Sequence, residues 1–432
     1  AEVVRDVLNQ EEIADEGPYA VSPGSALKWL EVNMYHICQH FILPLTMDNA
    51  CSYVELVAND LQVPEWMVSH AWSTNFAATS GMLMQHALSR RSSAVDEKET
   101  EQSMCYWCCT LANNQHDLSA LQDPDLLKTP FARVLLSPTC CGTVLLCDPA
   151  VTPLKRVWCV FEAHLTQKLR STDLSSKGCH FLDLVAFDQK KSLTFEAHAL
   201  AILQDGAKGW NEIAQGGAHF PLEVAHAGTT VDVRFAEASL QSDRRAIMNH
   251  IAYGKASAQA PPVKHPSYDQ LNDFVHSAFA SAELYRLACD RPEGCVERAK
   301  ELLLLGADPN SFIREGNTAL LALVGADPTQ PAPAELEIFQ EMSSLLIENG
   351  ARINHVNSHM QTALDHLQEK MENSELVEYM KKQGARSFEE SAIEAEEHWN
   401  ECIKEVLWKG GFGAPSEKVG KTTQAFGGSG GG

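Results

Sequence analysis

Asn113, Asn114, Gln115, His116 and Asp117 form an unbroken polar run directly after the apolar stretch Cys105–Leu111. Ser69 and His70 follow Trp66–Val68, and Asp148 follows Thr143–Cys147. If these stretches are parallel strands, the polar side chains share the carboxyl edge of one sheet, where such sheets bind ligands. They would then ring one polar pocket. The competing use of the same residue types is to cap loops by bonding nearby backbone. His70 and His116 titrate near neutrality in water, but neither lies beside a Ser or Cys in a nucleophile motif. Trp72, Tyr106 and Trp107 have flat faces able to stack nicotinamide or adenine, although strand aromatics usually fill a core.

Metal chemistry finds little support. Cys105-x-x-Cys108 has half of a zinc spacing and no second pair at a fitting distance. His36 and His40 lie four apart without the Glu of a zinc-protease helix. Val419-Gly-Lys421-Thr422 imitates the end of a phosphate loop, but Pro415 occupies the first glycine's position and no strand precedes it. No metal and no required cofactor is expected.

The elements that must hold these residues follow from periodicity. Apolar runs of strand length occur at Trp66–Val68, Cys105–Leu111, Thr143–Cys147, His180–Val185 and Val231–Phe235. Amphipathic stretches near 77–90, 118–136, 154–169 and 190–204 separate them. This alternation predicts five parallel strands covered on both faces. Ahead of it, 1–24 reads as an acidic arm and 25–63 as helix, stopped at Pro44 and followed by a short second helix. Asp243-Arg244-Arg245 opens a charged helix after the last strand.

Residues 253–272 carry three prolines among small residues and read as a linker. A repeat follows. Leu302-Leu-Leu-Leu-Gly306-Ala-Asp-Pro-Asn310 is echoed by Leu345-Leu-Ile-Glu-Asn-Gly350-Ala-Arg-Ile-Asn354 and weakly by Met380–Arg386. Thr318-Ala-Leu and Thr362-Ala-Leu come at the same offset of 12 from their glycines. The glycine spacings are 44 and 34, and a Pro-rich insert at 327–334 accounts for the longer one. Each glycine falls just past a helix, where positive φ is wanted, and each Thr can cap the next helix. Residues 387–408 read as an acidic capping helix, with six Glu and no Lys or Arg across 387–402, and 409–432 as a Gly-rich tail.

Composition bounds the function. The chain has 432 residues, too many for one ordinary core, and a formal charge of −23. Nucleic-acid backbone and anionic lipid would be repelled by such a chain. No apolar stretch approaches the ~20 residues of a membrane helix. Thirteen dispersed cysteines suit a reducing compartment. The expectation is a soluble, intracellular, cytoplasmic protein. A chain starting at Ala1 leaves room for a removed targeting segment.

Two sets of motifs carry resemblances. The repeat pattern over 273–386 closely resembles ankyrin repeats, which implies an all-α solenoid and a protein partner. Met67-Val-Ser69-His70-Ala-Trp72 and Arg156-Val-Trp158-Cys159-Val-Phe-Glu162 resemble the TIR (Toll/interleukin-receptor) superfamily over 64–252. That implies a flavodoxin-like parallel five-stranded sheet. The chain is also similar to protist and algal proteins sharing "SHAW", "YW…NNQH" and "RxWCxFE", some of which carry ankyrin repeats. In TIR enzymes the Glu of Trp-Cys-x-x-Glu splits the nicotinamide–ribose bond of NAD, and the match transfers that role to Glu162. One carboxylate suffices in principle, because pyridinium leaves without a general acid and a carboxylate can stabilise an oxocarbenium-like centre. Other TIR domains only assemble, which makes Trp158 core and Glu162 a surface charge. The leading expectation is therefore a scaffold, with repeats choosing a partner and a TIR-like domain self-associating. An NAD-cleaving enzyme is the alternative, and a structural subunit docked through arm and tail is the third.

Overall fold

The computed structural model describes residues 20–90, 104–171, 180–187, 200–203, 220–313, 316–325, 333–357, 359–370 and 375–393, with Val4, Leu8 and 13–16. The chain is mixed α/β. A helical run of α1 (Met34–Ile37), a π-turn (Cys38–Ile42) and α2 (Leu43–Thr46) precedes α3 (Tyr53–Val57). Ser52 and Glu55 start α3 by exchanging bonds, with Ser52 N donating to Glu55 Oε2 at 2.8 Å. The expected helix over 25–63 is thus a set of short pieces, extended at Asn33, whose side chain accepts from Tyr35 N and His36 N.

The sheet has the order β2-β1-β3-β4-β5. It comprises β1 (Trp66–Ser69), β2 (Tyr106–Trp107), β3 (Gly142–Cys147), β4 (Phe181–Phe187) and β5 (Leu200–Leu203). Four strands are parallel, and β5 runs antiparallel to β4. Every residue of β1 and β3 is buried, as expected when both faces are covered. Helix α4 (Phe76–Arg90) covers one face. The other is covered by α7 (Val157–Ser171), which follows the short α5 (Cys109–Ala112) and α6 (Pro130–Leu135).

Three expectations are corrected here. Five parallel strands become four, because Val231–Phe235 is no strand. Asp232 accepts from Arg234 N at 3.0 Å and bends Val233–Phe235 into a 3-10 turn, leaving Phe235 exposed. The 105–111 run is extended only at Tyr106–Trp107, since Cys108 O accepts from Ala112 N at 2.9 Å and turns the chain into α5. The described part of the 190–204 helix is strand β5.

After α8 (Leu222–Thr229) and α9 (Gln241–Tyr253), the 253–272 segment is non-helical only from Gly254 to His265. Pro266 then opens α10 (Pro266–Asp290), a helix of 25 residues. It packs on α7, α8, α9 and β4 as well as on α11 (Cys295–Leu304) and α12 (Ala319–Gly325). The fit to α8 is close: a Cβ on Gly228 would lie 2.0 Å from the Phe279 ring. One hydrophobic cluster therefore runs from β3 to Met380.

Beyond α10 the helices form two rows. The row α10, α12 and α14 (Ala363–Lys370) lies against the row α11, α13 (Pro333–Glu348) and α15 (Glu375–Lys382), each helix touching the next in its row. A two-residue ladder, β6 (Phe312–Ile313) with β7 (Asn317–Thr318), precedes α12. Gly306, Gly350 and Gly384 end the second-row helices at φ +87, +90 and +94°. The residue after each glycine donates back across the turn, at 3.0, 2.9 and 3.0 Å. Asn310 and Asn354 then tie each turn to the next. Asn310 Oδ1 accepts from Arg352 N at 2.7 Å, and Asn354 Oδ1 accepts from Arg386 N at 2.8 Å. Residues 388–393 are helical. The rest of the acidic segment and the Gly-rich tail lie outside the described residues.

Candidate functional site

Side chains alternate along β1, so Met67 and Ser69 share the face that meets α7. The start of α7 is fixed by backbone pairing to a distant segment. Val157 N donates to Glu237 O and Glu237 N to Lys155 O, both at 2.8 Å. Val157, Val160 and Phe161 are fully buried and anchor the helix, which turns Cys159 and Glu162 toward the end of β1.

The result is a compact buried cluster. His70 O receives the Arg156 guanidinium (Nη1 at 3.2 Å) and the Cys159 thiol (3.5 Å). His70 Nε2 lies 3.9 Å from Cys108 Sγ, and Trp72 Nε1 donates to Cys109 Sγ at 3.2 Å. Glu162 is only 3 % exposed. Its Oε2 and the Ser69 hydroxyl are both buried and have no partner at hydrogen-bond geometry.

Electrostatics follow from burial. Desolvation raises the Glu162 carboxyl to about 7, while the nearby Ser69 hydroxyl, the Arg156 charge and the Cys159 thiol pull it back. Burial, then Arg156, lowers His70 to about 4, so its ring is neutral at physiological pH. Burial raises Cys108 to about 11 and Cys109 and Cys159 to about 12. These thiols stay protonated and are not nucleophiles in this state. Among the shifted groups of this cluster, the Glu162 carboxyl is the one poised near neutrality.

Of the residues singled out by sequence, Ser69, His70, Trp72 and Glu162 come together. The others do not join them. Gln115 Nε2 donates to Cys109 O and Thr110 O (3.1 and 3.0 Å). Asn114 Nδ2 reaches Ala50 O at 2.7 Å, and His116 Nε2 meets Thr46 Oγ1 at 2.8 Å. Asp117 accepts from Ser119 N at 2.9 Å. The 113–117 loop therefore clamps the N-terminal helices to α5. Asp148 shapes its own turn, its Oδ1 accepting from Thr152 N at 2.7 Å. Trp158 turns aside, stacking on Phe131 at 4.9 Å and donating to Asp243 at 3.2 Å. Arg156, Cys108 and Cys109 complete the cluster. Arg156 stands inside the quoted motif, Cys108 belongs to the Cys-x-x-Cys spacing considered for zinc, and no local signal marks Cys109.

The opposite face of the sheet holds a second buried carboxylate. Asp183 Oδ2 lies 2.7 Å from His86 Nε2, and His86 Nδ1 lies 2.6 Å from the Tyr106 hydroxyl. His86 and Asp183 are fully buried, with the Trp66 ring 4.6 Å from the imidazole.

Among the described residues, no three His, Cys, Asp or Glu side chains are placed to hold a metal ion. No described helix is long and apolar enough to cross a membrane. In comparisons with known proteins, no family model matches the chain, and no curated protein and no solved structure matches it.

Proposed function

We propose that the α/β half is a TIR-like enzyme that cleaves the N-glycosidic bond of NAD, with Glu162 as its catalytic carboxylate. The observation that carries this reading is the Glu162 carboxyl itself, buried beside Ser69 at the carboxyl end of β1 with its Oε2 left without a partner. A surface charge of a purely assembling domain would be solvated or paired. An unsatisfied buried carboxyl destabilises the fold, and such groups concentrate at functional sites.

In the ionised form Glu162 would hold the ribose hydroxyls and stabilise positive charge at C1′ as the bond to nicotinamide breaks. Nicotinamide leaves neutral, water adds to C1′, and the released proton passes to solvent. Arg156 would place a fixed positive charge near the phosphates. Glu162 is sealed in this conformation, so the reading implies a closed resting state that opens on association.

The helical rows favour the second element of the reading, a protein partner. The repeated glycine turns and the asparagine ties of Asn310 and Asn354 support an ankyrin-like stack, which offers lateral faces and projecting turns to a partner. The test is nicotinamide release from NAD by the full chain at high protein concentration, beside Glu162→Gln. The expected result is turnover in the wild type and a loss of at least about 100-fold in the variant. Equal release in both, or none from the wild type in an associated state, refutes the enzyme and leaves the partner-binding protein.

A further inference from the structure

The polypeptide leaves β1 for a helix on one face of the sheet and leaves β3 for a helix on the other. The crevice between these strands is therefore the switch point, where open α/β sheets receive ligands outside their carboxyl ends. Away from this crevice and from the Glu162 cluster lies an open cavity of about 640 Å³, bordered by Ala150 of the loop that follows β3, by 154–155 and by residues of 227–237. Its floor is apolar, formed by Leu154, Val231 and small residues, and its rim carries Lys155, Phe235 and Glu237.

Three features of this rim are unspent by the fold. Phe235 is 77 % exposed although it borders an apolar floor. Lys155 and Glu237 are exposed, and neither forms an ion pair among the described residues. Asp232, the other carboxylate lining the cavity, is already neutralised by Arg234 at 2.7 Å. The pairing of Glu237 N with Lys155 O sets the free cation and the free carboxylate at neighbouring positions.

A fourth feature is independent of the rim. Val151, in the turn between the lining residues Ala150 and Leu154, is fully buried at φ +50°. A β-branched residue in the left-handed region is strained, and such strain collects where a loop is shaped for a ligand.

We propose that this cavity binds a nucleoside 5′-phosphate. The base stacks on Phe235, a ribose hydroxyl donates to Glu237, and the phosphate pairs with Lys155. The volume admits a mononucleotide and exceeds what a free anion needs. The proposal does not rest on dinucleotide cleavage at Glu162.

The experiment is calorimetric titration of the full chain with adenosine 5′-monophosphate, adenosine and inorganic phosphate. Saturable binding of the monophosphate is expected, with adenosine and phosphate each at least 10-fold weaker. Lys155→Met should weaken the monophosphate at least 10-fold and leave adenosine unchanged. Phe235→Ala should weaken both. Glu162→Gln should leave all three unchanged, which separates this site from the cleavage reading. Both rim residues are exposed, and an unchanged thermal midpoint would show that the variants fold. Absence of saturable monophosphate binding by the wild type, or binding untouched by both rim substitutions, overturns the proposal.

Discussion

Two carboxylates are buried against the same sheet, on opposite faces, and they are treated differently. Asp183 has an imidazole at 2.7 Å, which in turn meets a tyrosine hydroxyl. Glu162 has a serine and an arginine nearby, yet one of its oxygens has no partner. Burial is common to both, so burial alone does not mark a site. What separates them is satisfaction: a bonded network specifies a core, whereas an acid with an orphaned oxygen is a cost the fold carries for another reason.

The largest effect should come from turning the first carboxylate into the second. His86→Leu removes the imidazole from Asp183 Oδ2 inside the core, and a loss of about 3–5 kcal/mol is expected in urea denaturation. If the variant loses less than about 1 kcal/mol, the two carboxylates are not in different states and the comparison fails.

The next effect is a pH dependence of opposite sign from ordinary carboxylates. Glu162 is raised from 4.5 to about 7 in the folded chain. Between those values the native state keeps a proton that the unfolded state releases. Its contribution is therefore full below pH 4.5 and is lost as pH rises through 7, about 3 kcal/mol in all. Buried neutral histidines act the other way. His70 and His164, lowered from 6.5 to about 4 and about 3, lose stability as pH falls below 6.5. Subtracting the stability curve of Glu162→Gln from that of the wild type cancels the histidines. The difference should fall with rising pH between 4.5 and 7, and a flat difference would remove Glu162 from its perturbed state.

The smallest effect belongs to Ser69. Its hydroxyl partly offsets the burial of Glu162, so Ser69→Ala should move the alkaline limb of that difference upward by less than about one pH unit. A downward shift would mean that Ser69 favours the protonated acid.

The parts of the fold set by burial on both faces were legible. Trp66–Val68, Thr143–Cys147 and His180–Val185 are apolar because parallel strands have no wet side, and β1, β3 and β4 lie there. Gly306 and Gly350 were legible because only a left-handed turn wants glycine at that spacing. The fifth strand was not. Val231, Val233 and Phe235 alternate like a strand, but β4 spends its free edge on Leu200–Leu203, and Asp232 closes a local turn instead. Pro266 read as part of a linker and is the first residue of α10, since a proline that breaks a helix inside can also begin one. Within the site, Ser69, His70 and Glu162 came from motifs. The use of the 113–117 loop as a clamp was hidden, because its partners Thr46 and Ala50 lie some seventy and sixty-four positions away.

Helix α10 has a consequence for how such a chain can change over evolutionary time. A row of helical pairs can grow or shrink by duplication at its far end, because each pair meets only its neighbours. The near end has no such freedom. Phe279 of α10 fills the groove left by Gly228 of α8, and Leu271 and Val275 belong to the same core. A recombination break anywhere in 253–265 would leave the sheet half with an open apolar wall and the helical half with the matching face of α10 uncovered. The two halves must be inherited as one gene segment, and only the last pairs are free to be exchanged.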